Sequence, residues 1–171
     1  MKVAVRTLFM LLMIAVLAPA TFAQSTPDAV RDVPSPFAGG IGEVATYLDQ
    51  RGTPVLELSV TGIEREWDGY DRWSEPQAGS DFVLVSMTVT NLGTRPFVVE
   101  PYDFSLVDSL GVSQSQAWVS GGSLIMSEDT TIDGGASIEF QLVFEVFSDL
   151  DPLMLFWSPE FDVYVVMYLG N

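Results

Sequence analysis

An all-β fold, an antiparallel sandwich of about seven to nine strands, is what the chain predicts. Three observations predict it. Apolar and polar residues alternate with period two in four long runs. Val, Thr, Phe and Tyr crowd those runs. Between them stand short polar segments rich in Gly, Asn, Asp and Pro, with no stretch of helical period. Many short strands joined by turns are the pattern of a sandwich or barrel.

The elements follow in order. In Val55–Ile63, Leu56, Leu58 and Val60 face one way and Glu57, Ser59 and Thr61 the other. In Val83–Thr90 the inward set is Val83, Val85, Met87 and Val89, against Ser86, Thr88 and Thr90. Ile138–Phe147 carries the clearest alternation. Its Ile138, Phe140, Leu142, Phe144 and Val146 oppose Glu139, Gln141 and Glu145. Phe161–Leu169 keeps Phe161, Val163, Val165, Met167 and Leu169 in phase. Shorter strands fit Val44–Leu48, Phe97–Val99, Phe104–Val107, Ser115–Val119 and Leu153–Trp157. Asn91-Leu-Gly93 and Asp108-Ser-Leu-Gly111 read as turns. Asp108 can accept a backbone N–H two residues on, and Gly111 can take a positive φ.

The N-terminus predicts an address. Lys2 and Arg6 precede an unbroken apolar run of 11 residues, Leu8 to Ala18, then Pro19 and the small-residue end Thr21-Phe22-Ala23. That is the layout of a secretory signal peptide over residues 1–23. The run is too short for a membrane span, which needs roughly 20 apolar residues. Residues 24–40, with three Pro, two Gly and two Ser, read as a flexible tether. The domain is expected over residues 41–171. Secretion, or display in the periplasm or on the exterior of the cell envelope, follows, with no membrane contact after cleavage. A monomer is the expected state. The chain has no Cys, so neither a disulfide nor a lipid-bearing Cys is available.

Removing 23 of the 171 residues leaves 148, one domain's worth. All 23 acidic residues remain, against five arginines and no lysine, a net charge of −18. Such a field repels nucleic acid and anionic lipid and favours cations and basic partners.

Several chemistries are excluded by composition. The chain has neither His nor Cys, which removes ordinary zinc sites, Ser–His–Asp and Cys–His nucleophiles, and thiol redox. No Gly-rich phosphate loop joins a strand to a helix. Carboxylates and aromatics remain. They concentrate in Glu64–Glu75, "EREWDGYDRWSE". Trp67, Tyr70 and Trp73 are the candidate ligand-binding faces, able to stack on a sugar or peptide. Asp68, Asp71 and Glu75 are the candidate calcium ligands, although their spacing is not that of an EF-hand. The plainer reading makes this a hairpin loop whose Trp residues cap the sandwich and whose Arg65 and Arg72 pair the acids. No cofactor is required, calcium being the alternative.

"DFVLVSMTVTNLGTRPFVVEPYDFSLVDSLG", followed by "IDGGASIEFQLVFEVF", resembles a family of secreted bacterial immunoglobulin-like domains of unknown function, in the immunoprotective extracellular immunoglobulin-like group. The matching residues are Asn91, Gly93, Asp103, Phe104, Leu106, Asp108, Gly111, Gly134 and Leu142–Val146. Asp133 stands where the family pattern has Pro. The resemblance implies an immunoglobulin-like sandwich and carries no catalytic residue. The function expected is a secreted, non-enzymatic module that binds a protein, peptide or glycan and not nucleic acid. A calcium-binding or salt-adapted domain is the alternative, and a small carboxylate-dependent hydrolase the third reading.

Overall fold

The computed structural model describes residues 38–160 and 163–170. The expected leader and most of the expected tether lie outside the described residues, as does Phe161. Eleven strands follow one another: β1 (Ala38–Gly40), β2 (Val44–Leu48), β3 (Pro54–Glu64), β4 (Ser80–Asn91), β5 (Phe97–Val99), β6 (Phe104–Asp108), β7 (Ser113–Ser115), β8 (Thr130–Ile132), β9 (Ser137–Phe147), β10 (Pro152–Glu160) and β11 (Val163–Tyr168). A 3-10 turn, Pro101–Asp103, precedes β6.

The strands form a sandwich. One sheet has the order β1-β11-β10-β6-β7, the other β2-β3-β4-β9, and β5 and β8 make a small two-stranded ribbon. Every pairing is antiparallel except β1 with β11. The β4–β9 pair anchors the second sheet over an unbroken register from Ser80↔Phe147 to Thr90↔Ser137. That register sets Val83 beside Phe144, Val85 beside Leu142 and Met87 beside Phe140, all facing the first sheet's Phe104, Leu106, Leu155, Trp157, Val165 and Met167 in one buried cluster. Phe104 and Trp157 stack with planes 1° apart and centroids at 5.4 Å. Phe140, Leu142 and Phe144 are buried as the alternation predicts.

Three local outcomes differ from the pattern. Ala38–Gly40, expected as the end of the tether, pair with Val166–Tyr168 and form an edge strand. Ala-Gly-Gly shows neither alternation nor a β-prone side chain. Residues 116–119, expected as part of a strand, make only the isolated bridge Gln116↔Phe144 and leave the sheet, and the strand there is Ser113–Ser115. In β3 the register slips between Val60 and Gly62. The bulge shifts the inward phase, so Val60 is buried before it and Ile63 packs on the core after it.

The outer face of the second sheet carries its own apolar patch. Phe82, Leu84 and Val143 are buried there, under Trp67, Tyr70, Ala117, Val119 and Ile125. Four consecutive buried residues, Phe82–Val85, result, since both faces of β4 are covered at that point. The cover consists of the two loops that build the candidate site.

Candidate functional site

The first loop, residues 65–79, leaves β3 and returns to β4. Its backbone is tied at once, as the Trp67 N–H donates to the Phe82 carbonyl at 3.0 Å. Trp67 and Tyr70 then lie on Phe82, with ring centroids at 6.4 and 5.2 Å, and lean on each other at 6.0 Å. These contacts close the outer apolar patch, the capping role of the plainer reading. Gly69 lets the turn fit, since a Cβ there would come within 2.6 Å of the Trp67 ring.

Trp73 behaves differently. It is 79% exposed, with the Arg72 guanidinium 4.5 Å from its ring centroid. Its position is fixed from below by Asp71, whose Oδ1 accepts the Trp73 N–H at 2.9 Å and the Ser74 hydroxyl at 3.1 Å. Asp71 thus caps a local turn. Asp68 and Glu75 are exposed. Among the described residues no three His, Cys, Asp or Glu side chains gather closely enough to hold a metal ion, so the structure does not bring Asp68, Asp71 and Glu75 together as one.

The second loop, residues 116–127, is stitched to the first. The Asp71 N–H donates to the Ser120 carbonyl at 3.2 Å, and the Ser120 N–H to the Ser74 hydroxyl at 3.1 Å. Gly121 passes so close that a Cβ on it would run into the Gly69 carbonyl oxygen. Further along, the loop covers the β9 edge through Ala117 N–H to Val143 O at 2.7 Å and Met126 N–H to Gln141 O at 2.9 Å. Trp118 projects from this frame, 68% exposed, and its ring meets Tyr102 at 6.0 Å. Tyr102 is itself 59% exposed, in the 3-10 turn before β6.

The surface therefore offers Trp73, Trp118 and Tyr102, of which only Trp73 stands in the aromatic-rich stretch that draws attention in the sequence. Trp118 and Tyr102 sit 16 positions apart, each without an aromatic neighbour. Proximity in the fold brings them together. Arg65 does not pair the acids of its own loop. It forms an ion pair with Asp151 and donates to the Leu150 carbonyl at 2.7 Å.

Beside Tyr102, Asp103 faces Glu100 and Asp129. Burial, then the two neighbouring carboxylates, pushes its pKa up to about 6.

Residues 53–164 match a domain of unknown function, DUF4352. The chain belongs to that family. No curated protein matches the chain significantly. Among solved structures the DUF4352 domain resembles the yjhA protein of Bacillus subtilis, with a TM-score of 0.57 at 15% identity, over 77% of this chain and 99% of that one. A secreted protein of Mycobacterium tuberculosis, MPT63, has a TM-score of 0.56 at 17% identity, over 78% of this chain and 96% of that one. The ycdA protein of Bacillus subtilis has a TM-score of 0.56 at 20% identity, and the match spans 68% of this chain but only 36% of that one. At these identities the likeness is one of fold. Among the described residues no helix is long and apolar enough to cross a membrane.

Proposed function

We propose that this DUF4352 domain is a secreted, non-enzymatic binding module that takes a polypeptide or glycan on Trp73, Trp118 and Tyr102. The observation that carries the reading is the exposed Tyr102–Trp118 pair on a hydrogen-bonded frame. Large aromatic faces left in water are a feature of recognition surfaces. A frame already held by the Asp71–Ser120 and Ser120–Ser74 bonds has little left to order when a partner arrives. Loops on a rigid sandwich are where such sites recur. The leader-like N-terminus and the resemblance to secreted immunoglobulin-like modules support a place outside the cytoplasm.

The test is a side-by-side screen of the protein and its Tyr102→Ser/Trp118→Ser variant on glycan and peptide arrays. A ligand retained by the parent and lost by a variant of unchanged melting temperature is the expected result. Hydrolysis of an array ligand by the parent would instead favour a carboxylate-dependent enzyme.

A further inference from the structure

A groove of about 460 Å³ lies between the end of the β2–β3 hairpin and the β4–β5 turn. Tyr47, Val55, Leu56 and Phe97 supply its apolar surface, and Asp49 and Arg95 line it as well. That volume, and a mainly apolar lining with few charged groups, suit a small organic molecule. None of the exposed aromatics of the loop surface belongs to it. β4 begins under the aromatic loops and ends at this groove.

Both walls are held in place. Asn91 is buried at the end of β4. Its Nδ2 donates to the carbonyls of Arg95 at 2.7 Å and Ile132 at 3.1 Å, and its Oδ1 accepts the Gly93 N–H at 2.9 Å. Behind that turn Gly134 presses against Thr94, where a Cβ would lie 2.6 Å from the Thr94 carbonyl carbon. Phe97 meets the core Trp157 edge-on at 6.2 Å. On the other wall, Asp49 Oδ1 accepts the N–H groups of Arg51 at 2.8 Å and Thr53 at 2.9 Å. A ligand entering such a groove meets surfaces that need little rearrangement.

Charge narrows the ligand class. The chain has 23 acidic residues and seven basic ones, so cations are scarce. Of the arginines in the described residues, Arg65 is paired with Asp151 and Arg72 lies over Trp73. Arg95 makes no ion pair among the described residues. Arg51 stands in the hairpin turn at the same end. The one acid lining the groove, Asp49, is ionised and already engaged, as the Thr53 and Arg51 N–H groups hold its carboxyl below the usual carboxylate range. The groove between residues 123–130 and β9 is the contrast, with Glu128 and Glu139 and no cation.

We propose that the groove between the β2–β3 hairpin and the β4–β5 turn binds a small amphiphilic carboxylate, its apolar body on the half-buried Val55 and Phe97 and its carboxylate at Arg95. A guanidinium suits a carboxylate because its planar fork can donate two parallel hydrogen bonds. Arg95 lines the groove together with Val55 and Phe97, and that combination suits a ligand that carries both parts.

An NMR titration of the isotope-labelled protein with decanoate tests it, with decanol and decylamine as neutral and cationic counterparts of the same chain. Saturable shifts at the amides of Asp49, Thr94, Arg95 and Phe97 are expected with decanoate. Decanol should bind at least about threefold more weakly and decylamine more weakly still, as for a charge pair at a solvent-facing rim. Arg95→Gln, which alters only an exposed side chain, should erase the preference for decanoate over decanol. Decanoate shifts that map elsewhere or fail to saturate would overturn the proposal. So would equal binding of decanoate and decanol by the parent, or undiminished decanoate binding by Arg95→Gln.

Discussion

Tyr102 and Trp118 lean on each other at 6.0 Å with both rings mostly in water, while two residues beyond Tyr102 the ring of Phe104 lies flat on Trp157 in the core. One short segment thus joins the exposed aromatic surface to the best-packed part of the sandwich. Tyr102 belongs to the 3-10 turn and Phe104 opens β6, so the turn separates the two roles, whereas residues two apart on one strand would share a face.

Phe144 is fully buried at the centre of β9, opposite Val83. Phe144→Ala removes a large side chain from a site walled by two sheets. A loss of about 3–5 kcal/mol is expected in urea unfolding. That is a large part of the stability of a typical domain. An unchanged midpoint would mean that this face does not line the core.

Gly121→Ala should separate the two stitched loops, because its Cβ has no room beside the Gly69 carbonyl. A cost of about 1–3 kcal/mol is expected, the range for forced overpacking. Trp67 should become more accessible as the cover over Phe82 loosens, which acrylamide quenching would detect. A variant with parental stability and quenching would show that the close approach does not matter.

Asp103 gives a pH dependence of defined sign. Its pKa is about 6 in the fold against an ordinary 3.8. Between those values the folded protein holds more protons at this site than the unfolded chain does. This group's contribution to stability therefore falls as pH rises from about 4 to 6. Asp103→Asn should be the more stable protein near neutrality and should lose that advantage on acidification. Chemical denaturation across the interval checks it, and a stability difference that is constant with pH would refute the assignment.

The net charge of −16 should make the protein more stable in salt, through screening of its own repulsion. Calcium and sodium at equal ionic strength should act alike, since no three carboxylates among the described residues gather to hold a metal ion. A calcium-specific rise in melting temperature, abolished by Asp68→Asn and Asp71→Asn, would restore the calcium reading of that loop.

Much of the fold is legible in the sequence because long strands write a period-two pattern. β3, β4 and β9 are each eleven residues or longer and coincide with the alternating runs. β1 and β8, Ala-Gly-Gly and Thr-Thr-Ile, show neither an alternation nor the apolar run that marks the equally short β5, Phe-Val-Val. The candidate surface is less legible for a different reason. Trp67, Tyr70 and Trp73 look alike in sequence, yet the first two close an apolar patch over Phe82 and the third points to solvent. Which aromatic is covered depends on where Phe82 and Val143 fall on the outer face of β4 and β9. Trp118 meets Tyr102 from a loop that is held on β9 by the Ala117 N–H bond to the Val143 carbonyl and stitched through Ser120 to Ser74, 46 positions away, and none of these contacts is visible in the sequence.

The most direct test of the binding surface is the affinity of Trp73→Ser, Trp118→Ser and Tyr102→Ser for a ligand found in the array screen, each with its melting temperature. Truncating an anchoring aromatic at an interface costs roughly 2 kcal/mol or more. At least one of the three is therefore expected to bind more than about tenfold more weakly while melting like the parent. Parental affinity in all three variants, or a parent that retains no ligand, would contradict the account.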